Sequence, residues 1–200
     1  MLDEARRHLQ EWRCCKRGDD KLNEDYFNVA FLRDAYAKTR SMAFPSSLGG
    51  RHVVITQCGG WEIQNTHLES GADAAARDAR EVQMRQLRDR HGHVSVSEDA
   101  VRVLAGDFNL RGGEEGPLQS AGWRDAWQCP ELVPGEDWTW SGYGRRLRFD
   151  RVFVRDAQDG TKVERRSFAR LSGFCPAYTD HVALHAVLVR LPCTSGEETA

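Results

Sequence analysis

Short apolar runs separated by polar or glycine-rich segments make up most of the chain, and this pattern predicts a protein built mainly from strands. The runs with the length and composition of strands are 26–32, 51–56, 61–67, 101–105, 147–155, 162–171 and 181–191. A Cys58-Gly59-Gly60 turn predicts a hairpin between the second and third runs. An Asp159-Gly160 turn separates the runs 147–155 and 162–171.

Two segments instead carry apolar residues at helical spacing. Residues 1–16 predict an amphipathic helix whose apolar residues are Leu2, Ala5, Leu9 and Trp12. A second helix is predicted from Asp73 to about Arg90, with Ser70 as its cap and an apolar face of Ala75, Ala79, Val82 and Leu87. Residues 112–144 are interpreted as a loop region. Strands in pairs, without strict β-α-β alternation, predict a mixed α/β sandwich rather than a Rossmann or TIM fold.

Length and composition then narrow the class of protein. The chain has 200 residues with 40% hydrophobic and 29% charged residues, which predicts one domain over 1–192 followed by a polar tail over 193–200. No apolar run reaches the ~20 residues that span a bilayer, so we expect no membrane segment and an intracellular protein, with nucleus and cytoplasm both open. Its six cysteines form no C-x-x-C pair, which argues against a zinc knuckle or a redox dithiol.

The net charge of −2 argues against a surface that is basic overall, but it allows a local basic groove. The pairs Arg145-Arg146 and Arg165-Arg166 are interpreted as solvated charges rather than as nucleic-acid contacts.

Polar clusters at the ends of the predicted strands carry the candidate chemistry. They are N-T-H-L-E-S at 65–70, G-D-F-N-L-R at 106–111, R-F-D-R-V-F at 148–153 and T-D-H at 179–181. Together they offer imidazoles, carboxylates, an amide and an arginine, which suit metal-assisted phosphoryl chemistry. Taken one by one, each residue also has an ordinary structural interpretation: a structural histidine for His67, an Asx turn for Asp107, an ion pair for Asp150, a core aromatic for Trp140 and a solvated charge for Arg111.

In this order, the four motifs resemble the endonuclease/exonuclease/phosphatase superfamily, and most closely its 5′-tyrosyl-DNA phosphodiesterases, which remove trapped topoisomerase peptides from DNA 5′ ends. Tyr26-Phe27, Phe44-Pro45-Ser46 and Thr139-Trp140 are also similar to that subgroup, and the resemblance covers about residues 26–191. It implies a two-sheet β-sandwich flanked by helices, in four layers.

The resemblance implies a role for each matching residue. Asp107 would activate or orient the attacking water, and His67 and Asn109 would contact the scissile phosphate. His181 would stabilise the pentavalent transition state, and Asp150 would orient a histidine.

The remaining implied roles concern substrate and metal. Ser70 and Arg111 would bind the DNA 5′ end, Trp140 would lie beside the DNA path, and Asp180 would lie close to Mg²⁺ or Mn²⁺.

The beginning of the chain departs from the superfamily pattern, in which a strand with an Asn precedes a strand ending in L-Q-E, whose glutamate is the main metal ligand. Leu9-Gln10-Glu11 occurs here within a helical run, so Glu11 is interpreted as a coincidental match. The opening strands are therefore expected to be missing, which would make the chain N-terminally incomplete or a degenerate relative.

The expected function is metal-dependent hydrolysis of a 5′-phosphotyrosyl or related phosphodiester, in DNA repair, by a monomer. Its partners would be DNA 5′ ends, with or without an attached tyrosine or peptide. Two alternatives stay open: another phosphoesterase of the superfamily, such as an exonuclease, deadenylase or phosphatase, and a non-catalytic module that binds nucleic acid or another partner.

Overall fold

The computed structural model describes residues 13–15, 30–32, 37–89, 99–127, 137–171 and 179–193. Its strands are β1 (Arg13–Cys15), β2 (Ala30–Leu32), β3 (Lys38–Ala43), β4 (His52–Cys58), β5 (Trp61–His67), β6 (Val101–Asp107), β7 (Arg124–Asp125), β8 (Trp140–Gly142), β9 (Arg145–Leu147), β10 (Asp150–Arg155), β11 (Lys162–Leu171) and β12 (Ala183–Leu191). Its helices are α1 (Ala74–Asp89) and α2 (Gly116–Gln119).

A six-stranded sheet in the order β3-β4-β5-β6-β10-β7 forms the centre of the molecule. β5 and β6 run parallel, and α1 lies between them in sequence, whereas β4–β5, β6–β10 and β10–β7 are antiparallel. Two-stranded sheets form from β1 with β2, β8 with β9, and β11 with β12. The ends of β5 and β6 therefore lie beside the start of β10, at the same end of these three neighbouring strands.

Each face of the central sheet is covered by a different layer. On the helix side, the largest buried apolar cluster joins residues of the sheet to α1 and α2, including Val53, Leu104, Met84, Leu87 and Leu118. On the other side, Val101, Val103, Val152 and Val154 pack with Phe168, Leu184 and Leu188 of the β11–β12 pair. The layers described are thus the helices, the mixed central sheet and the β11–β12 pair. None of the described helices is long and apolar enough to cross a bilayer.

The predicted helix over residues 1–16 is wrong at its end, because Arg13–Cys15 form a strand. This strand pairs with Ala30–Leu32 in antiparallel register, with Cys14 opposite Phe31. Pairing across the chain thus overrides the local helical pattern, since helix propensity is a weak determinant when a strand partner is present. The rest of the predicted helix, and residues 26–29 of the predicted strand, lie outside the described residues.

The predicted cap and buried face of α1 also need correction. The Asp73 carboxylate, not Ser70, caps the helix by accepting a hydrogen bond from the Ala76 backbone N–H at 2.9 Å. Ala75 and Val82 are exposed. The face that packs on the sheet consists of Ala76, Ala79, Arg80, Gln83, Met84 and Leu87. The helix is therefore rotated relative to the predicted face, because Arg80 and Gln83 are buried on polar partners.

Other element predictions are confirmed or refined. β5 and β11 have the predicted bounds, and β4 and β5 form the predicted hairpin. The predicted turn at Asp159-Gly160 is present before β11. The predicted strand 147–155 divides into β9 and β10, and the predicted loop 112–144 contains α2, β7 and β8. β3 was not predicted, because its Lys-Thr-Arg-Ser sequence lacks an apolar run and its pairing with β4 supplies the structure.

Candidate active site

Strand register places three of the candidate residues side by side. His67 ends β5 and is paired in parallel register with Asp107 at the end of β6. Asp107 is in turn opposite Asp150, the first residue of β10. His67 Nε2 lies 3.2 Å from Asp107 Oδ2, so the histidine and the central carboxylate are in direct contact.

His181 reaches the same point from the opposing strand pair. It precedes β12 and is held against Trp140 by an isolated backbone bridge. Its Nδ1 lies 2.6 Å from Asp150 Oδ2, and its Nε2 lies 3.9 Å from Asp107 Oδ2. Asp107 therefore has one imidazole on each side, and Asp150 fixes the orientation of the second.

The ordinary interpretation of Asp150 as an ion-pair partner of its neighbours does not describe the structure. Arg148 and Arg151 both donate instead to Asp125 Oδ2, at 2.6 and 3.0 Å. The side chain of Asp150 contacts His181 instead.

Electrostatics keep Asp107 ionised. Burial by itself would raise the pKa of Asp107, but the hydrogen bond from His67 and the charges of His67 and His181 outweigh it and hold the pKa below its ordinary value. The Asn109 backbone N–H adds a hydrogen bond to Asp107 Oδ1 at 2.9 Å. The Asx turn considered for Asp107 is thus present, and it coexists with the contact to His67.

The same groups favour the protonated form of His181. Burial alone would lower the pKa of His181, but the hydrogen bond to Asp150 and the charges of Asp150, Asp107 and Asp180 raise it above its ordinary value of 6.5. An imidazolium can donate from both ring nitrogens. With Nδ1 bonded to Asp150, Nε2 is the donor directed towards Asp107 and Asp180.

Asn109 is buried next to these groups, in the left-handed region with φ of 50°. Its side-chain Nδ2 donates to the Leu68 carbonyl at 3.2 Å. The amide therefore connects the loop after β6 with the loop after β5.

Ser70 and Arg111 lie on adjoining loops at the rim of this cluster. Ser70 is exposed, and its Oγ accepts a hydrogen bond from Arg51 Nη2 at 3.2 Å. Arg111 Nε donates to the carbonyl of Gly71 at 3.3 Å, and its guanidinium lies 5.2 Å from the ring centroid of Phe149. The hydroxyl and the guanidinium thus lie on two adjoining loops.

The side chains of Trp140 and Asp180 are hydrogen-bonded to each other. This contact was not predicted from the sequence. The indole Nε1–H donates to Asp180 Oδ2 at 2.6 Å, and the Asp180 side chain is 64% exposed. Trp140 also packs on Phe149 with ring centroids 5.3 Å apart. The tryptophan is therefore partly exposed and linked to the segment that carries His181, rather than enclosed in the core.

The described side chains do not fit a complete magnesium site. Among the residues described by the structure, no three His, Cys, Asp or Glu side chains are grouped so that they could hold a metal ion. Asp107 and Asp150 are engaged by the two histidines, and Asp180 by Trp140. Glu11, the doubtful second metal ligand, lies outside the described residues.

Thr139 is a positioning residue that sequence reasoning did not single out for any role. Its side chain is fully buried, and its Oγ1 accepts hydrogen bonds from the backbone N–H groups of Phe149 and Asp150 at 3.0 and 2.9 Å. Its carbonyl accepts from the Val182 N–H at 2.6 Å. Thr139 thus holds the segment of Asp150 and that of His181 together. The similarity of the pair Thr139-Trp140 to the phosphodiesterase subgroup was the signal in the sequence.

Arg80 is a second positioning residue that was missed. It is 1% exposed, and it donates from Nε and Nη2 to both carboxylate oxygens of Glu114 at 2.9 and 3.1 Å. Its Nη1 donates to the carbonyls of Glu69 and Gly71, while Glu114 accepts the Arg111 N–H. Arg80 therefore joins the loops that carry Ser70 and Arg111. The sequence offered no signal for this role, because Arg80 is not part of the apolar face predicted for the helix.

Solved structures similar to this chain include a TDP2, a sugar phosphatase and an endonuclease/exonuclease/phosphatase protein. TDP2 from D. rerio, crystallised with a single-strand DNA product, is 24% identical, with 94% of this chain and 81% of that chain covered and a TM-score of 0.74. Mannosyl-6-phosphatase from Bacteroides thetaiotaomicron is 14% identical, with 94% and 80% covered and a TM-score of 0.68.

An endonuclease/exonuclease/phosphatase from Bacteroides vulgatus is 18% identical, with 94% and 80% covered and a TM-score of 0.63. Neither a protein-family model nor a curated protein matches the sequence. The predicted fold class is confirmed by these structures: the chain has the fold of the endonuclease/exonuclease/phosphatase proteins.

Proposed function

We propose that this protein is a phosphodiesterase that hydrolyses a phosphodiester at a DNA 5′ end, including a 5′-phosphotyrosyl link. The observation that carries the proposal is the convergence of an ionised Asp107 between His67 and His181, with Asp150 bonded to His181. A carboxylate can activate water, and the two imidazoles beside it can donate hydrogen bonds to a phosphoryl group.

In the proposed reaction, Asp107 orients the attacking water and accepts its proton. Oxygen attacks phosphorus, the bond to the tyrosyl or alkoxyl oxygen breaks, and the leaving oxygen takes a proton from solvent. The His181 imidazolium donates from Nε2 to a phosphoryl oxygen as negative charge develops, while Asp150 keeps Nδ1 occupied. His67 and Asn109 contact the remaining phosphoryl oxygens.

Ser70, Arg111 and Trp140 support a DNA end as the substrate. Arg111 brings a cation to the rim, Ser70 brings a hydroxyl, and Trp140 offers an aromatic ring next to His181. The structure of D. rerio TDP2 with its single-strand DNA product supports the same class of substrate for a protein of this fold. The proposed need for Mg²⁺ or Mn²⁺ comes from the sequence resemblance alone.

Incubation of the purified chain with a 5′-phosphotyrosyl oligonucleotide tests the proposal. The metal dependence is read by running the reaction with Mg²⁺, with Mn²⁺ and with EDTA. We expect release of tyrosine that the D107N and H181A variants abolish and that D78N, a change at an exposed position on α1, leaves unchanged.

A second set of substrates separates the proposal from a phosphatase. The similarity to a mannosyl-6-phosphatase makes sugar phosphates the informative alternative. Turnover of mannose 6-phosphate without turnover of any phosphodiester would replace the proposed substrate class. Binding of DNA with no turnover of either would point to a non-catalytic module.

A further inference from the structure

Three aromatic rings form a series that leads from the candidate active site to the tip of the β8–β9 hairpin. Phe149 precedes Asp150, Trp140 lies 5.3 Å from Phe149, and Tyr143 lies 6.4 Å from Trp140, measured between ring centroids. The Arg111 guanidinium covers Phe149 at the inner end. The outer end is open, because Tyr143 is 99% exposed.

Tyr143 is in a backbone conformation that does not suit it. Its φ is 51° and that of Gly144 is 71°, as in a two-residue hairpin turn that favours Asn-Gly. An aromatic residue in the left-handed region is strained, and here no burial of the ring offsets the strain. A strained and exposed aromatic side chain calls for a role outside the fold.

The strand that follows Tyr143 supplies positive charge. Arg145 and Arg146 are exposed, and no described acidic side chain forms an ion pair with either. Arg146 packs on Trp138, with its guanidinium carbon 4.8 Å from the ring centroid, so its position is restrained. One acidic side chain in contact with the hairpin is that of Asp180, which accepts a hydrogen bond from Trp140.

We propose that Tyr143 is a stacking site for an unpaired base of a single-stranded nucleic acid, with Arg145 and Arg146 contacting its phosphates. The proposal rests on the proposed function, since the 5′ end of that strand would lie at Asp107 and His181. A free aromatic face holds a base without regard to its identity, and neighbouring arginines neutralise the backbone. The hairpin would therefore bind the strand beyond the nucleotides next to the scissile phosphate.

Substitution of Tyr143 by asparagine separates binding from folding. Asn suits the left-handed turn, so Y143N should unfold at the same or a higher temperature than the wild type. The same variant should bind a 5′-phosphorylated hexanucleotide about fivefold or more weakly, because one stacked base is lost. Binding of a 5′-mononucleotide, which has no base beyond the one next to the phosphate, should not change. Y143F keeps the ring and should bind the hexanucleotide as the wild type does.

Fluorescence anisotropy with labelled oligonucleotides measures these affinities. R145Q and R146Q test the phosphate contacts. Their control is R166Q, because Arg166 is an exposed arginine on β11 that pairs with Glu164. A hexanucleotide affinity that is the same in Y143N and the wild type would overturn the stacking site, and so would failure of the wild type to bind. Hydrolysis measured on the same samples distinguishes the two proposals. Binding that depends on Tyr143, without hydrolysis, supports the stacking site and overturns the proposed function. Hydrolysis together with binding that Y143N leaves unchanged supports the proposed function and overturns the stacking site.

Discussion

At the scale of single residues, Asp150 controls the state of His181 through one short contact of 2.6 Å. D150N removes the charge and keeps the shape of the side chain. We expect the pKa of His181 to fall towards its ordinary value, and turnover of a phosphodiester to fall roughly 10²-fold because the imidazolium is lost at neutral pH. Titration of the histidine by NMR and steady-state kinetics measure the two effects.

The control for D150N is D159N, which changes a carboxylate in the turn before β11 that bonds only to Thr161 among the contacts described. An unchanged His181 pKa in D150N would show that Asp150 does not set the protonation state.

The pH profile should reflect both members of the Asp107–His181 pair. Turnover needs Asp107 ionised and His181 protonated, so the acid limb should lie below the ordinary value of 3.8 and the alkaline limb above 6.5. The stabilisation from Asp107 is complete above its ordinary pKa and is lost as pH falls through its lowered folded value. That from His181 is complete below 6.5 and is lost as pH rises through its raised folded value.

Rate measurements across pH, paired with urea unfolding at the same pH values, give this profile. D150N should move the alkaline limb down towards 6.5, because Asp150 no longer raises the pKa of His181. An alkaline limb at or below 6.5 in the wild type would contradict the raised pKa.

A site residue could be predicted from the sequence when it lies at the end of an apolar run. His67 and Asp107 lie at the ends of apolar runs, so the pattern placed them at strand ends. Asp150 was predicted inside the strand 147–155, but it begins β10, and pairing aligns it with Asp107. The bond between Trp140 and Asp180 was not predictable, because it depends on how the β8–β9 hairpin folds over a segment 40 residues away in sequence.

At the scale of secondary-structure elements, α1 holds two loops through Arg80. R80M would remove the buried cation that pairs with the Glu114 carboxylate and donates to the carbonyls of Glu69 and Gly71. Loss of one partner of a buried pair predicts a fall of about 3–5 kcal/mol in the free energy of unfolding. Urea denaturation measures this change.

R77M is the matched control for R80M. Arg77 is 67% exposed, and its Nε lies 3.9 Å from the same Glu114 carboxylate. An exposed pair of this kind contributes about 0–1 kcal/mol, so R77M should be nearly neutral. Equal losses in the two variants would mean that burial of Arg80 is not what stabilises the loops.

Close packing of β5 against β6 depends on Gly106. Its φ is 135°, and a Cβ at this position would collide with the carbonyl oxygen of Thr66. G106A should therefore lower the free energy of unfolding by at least about 2 kcal/mol. It should also lower turnover, because His67 and Asp107 follow directly after Thr66 and Gly106 in paired strands.

G112A is the control for Gly106, since nothing lies within 4 Å of a Cβ built at Gly112. Thermal unfolding and turnover of the two variants, measured side by side, check the prediction. A G106A variant as stable and active as G112A would show that the two strands can separate without consequence.

The elements themselves were predictable where local pattern and pairing agree. β5 and β11 have alternating or apolar sequences and matched their predicted bounds, whereas β3 is polar and exists because β4 pairs with it. Ser70 resembled a cap, but Asp73 lies next to the first helical residue and is the better acceptor.

At the scale of the whole molecule, the net charge of −2 means that binding of a nucleic acid must depend on a few local cations. If Arg111, Arg145 and Arg146 each neutralise one phosphate, the logarithm of the affinity should fall with that of the salt concentration at a slope of about −2. Anisotropy titrations at several salt concentrations measure the slope.

The variant carrying both R145Q and R146Q should show a slope of about −0.7, since one phosphate contact remains. A slope that these substitutions leave unchanged would place the binding surface elsewhere on the protein.

The candidate site also joins two layers of the fold, because Asp107 belongs to the central sheet and His181 to the segment that enters the β11–β12 pair. Trp127 meets Phe168 across these layers at 5.1 Å, and Arg165 donates to the Ala126 carbonyl. Sequence reasoning predicted both strands of the pair, but their distance from the sheet is set by side-chain packing that no local pattern contains.

The hairpin turn at Tyr143 has a consequence for how this protein could diversify. A two-residue turn on the surface can be exchanged for another without altering the strands behind it or the groups around Asp107. Descendants of one ancestor could thus acquire preferences for longer, shorter or differently ended strands by changes at the tip, while inheriting the same hydrolytic chemistry unchanged.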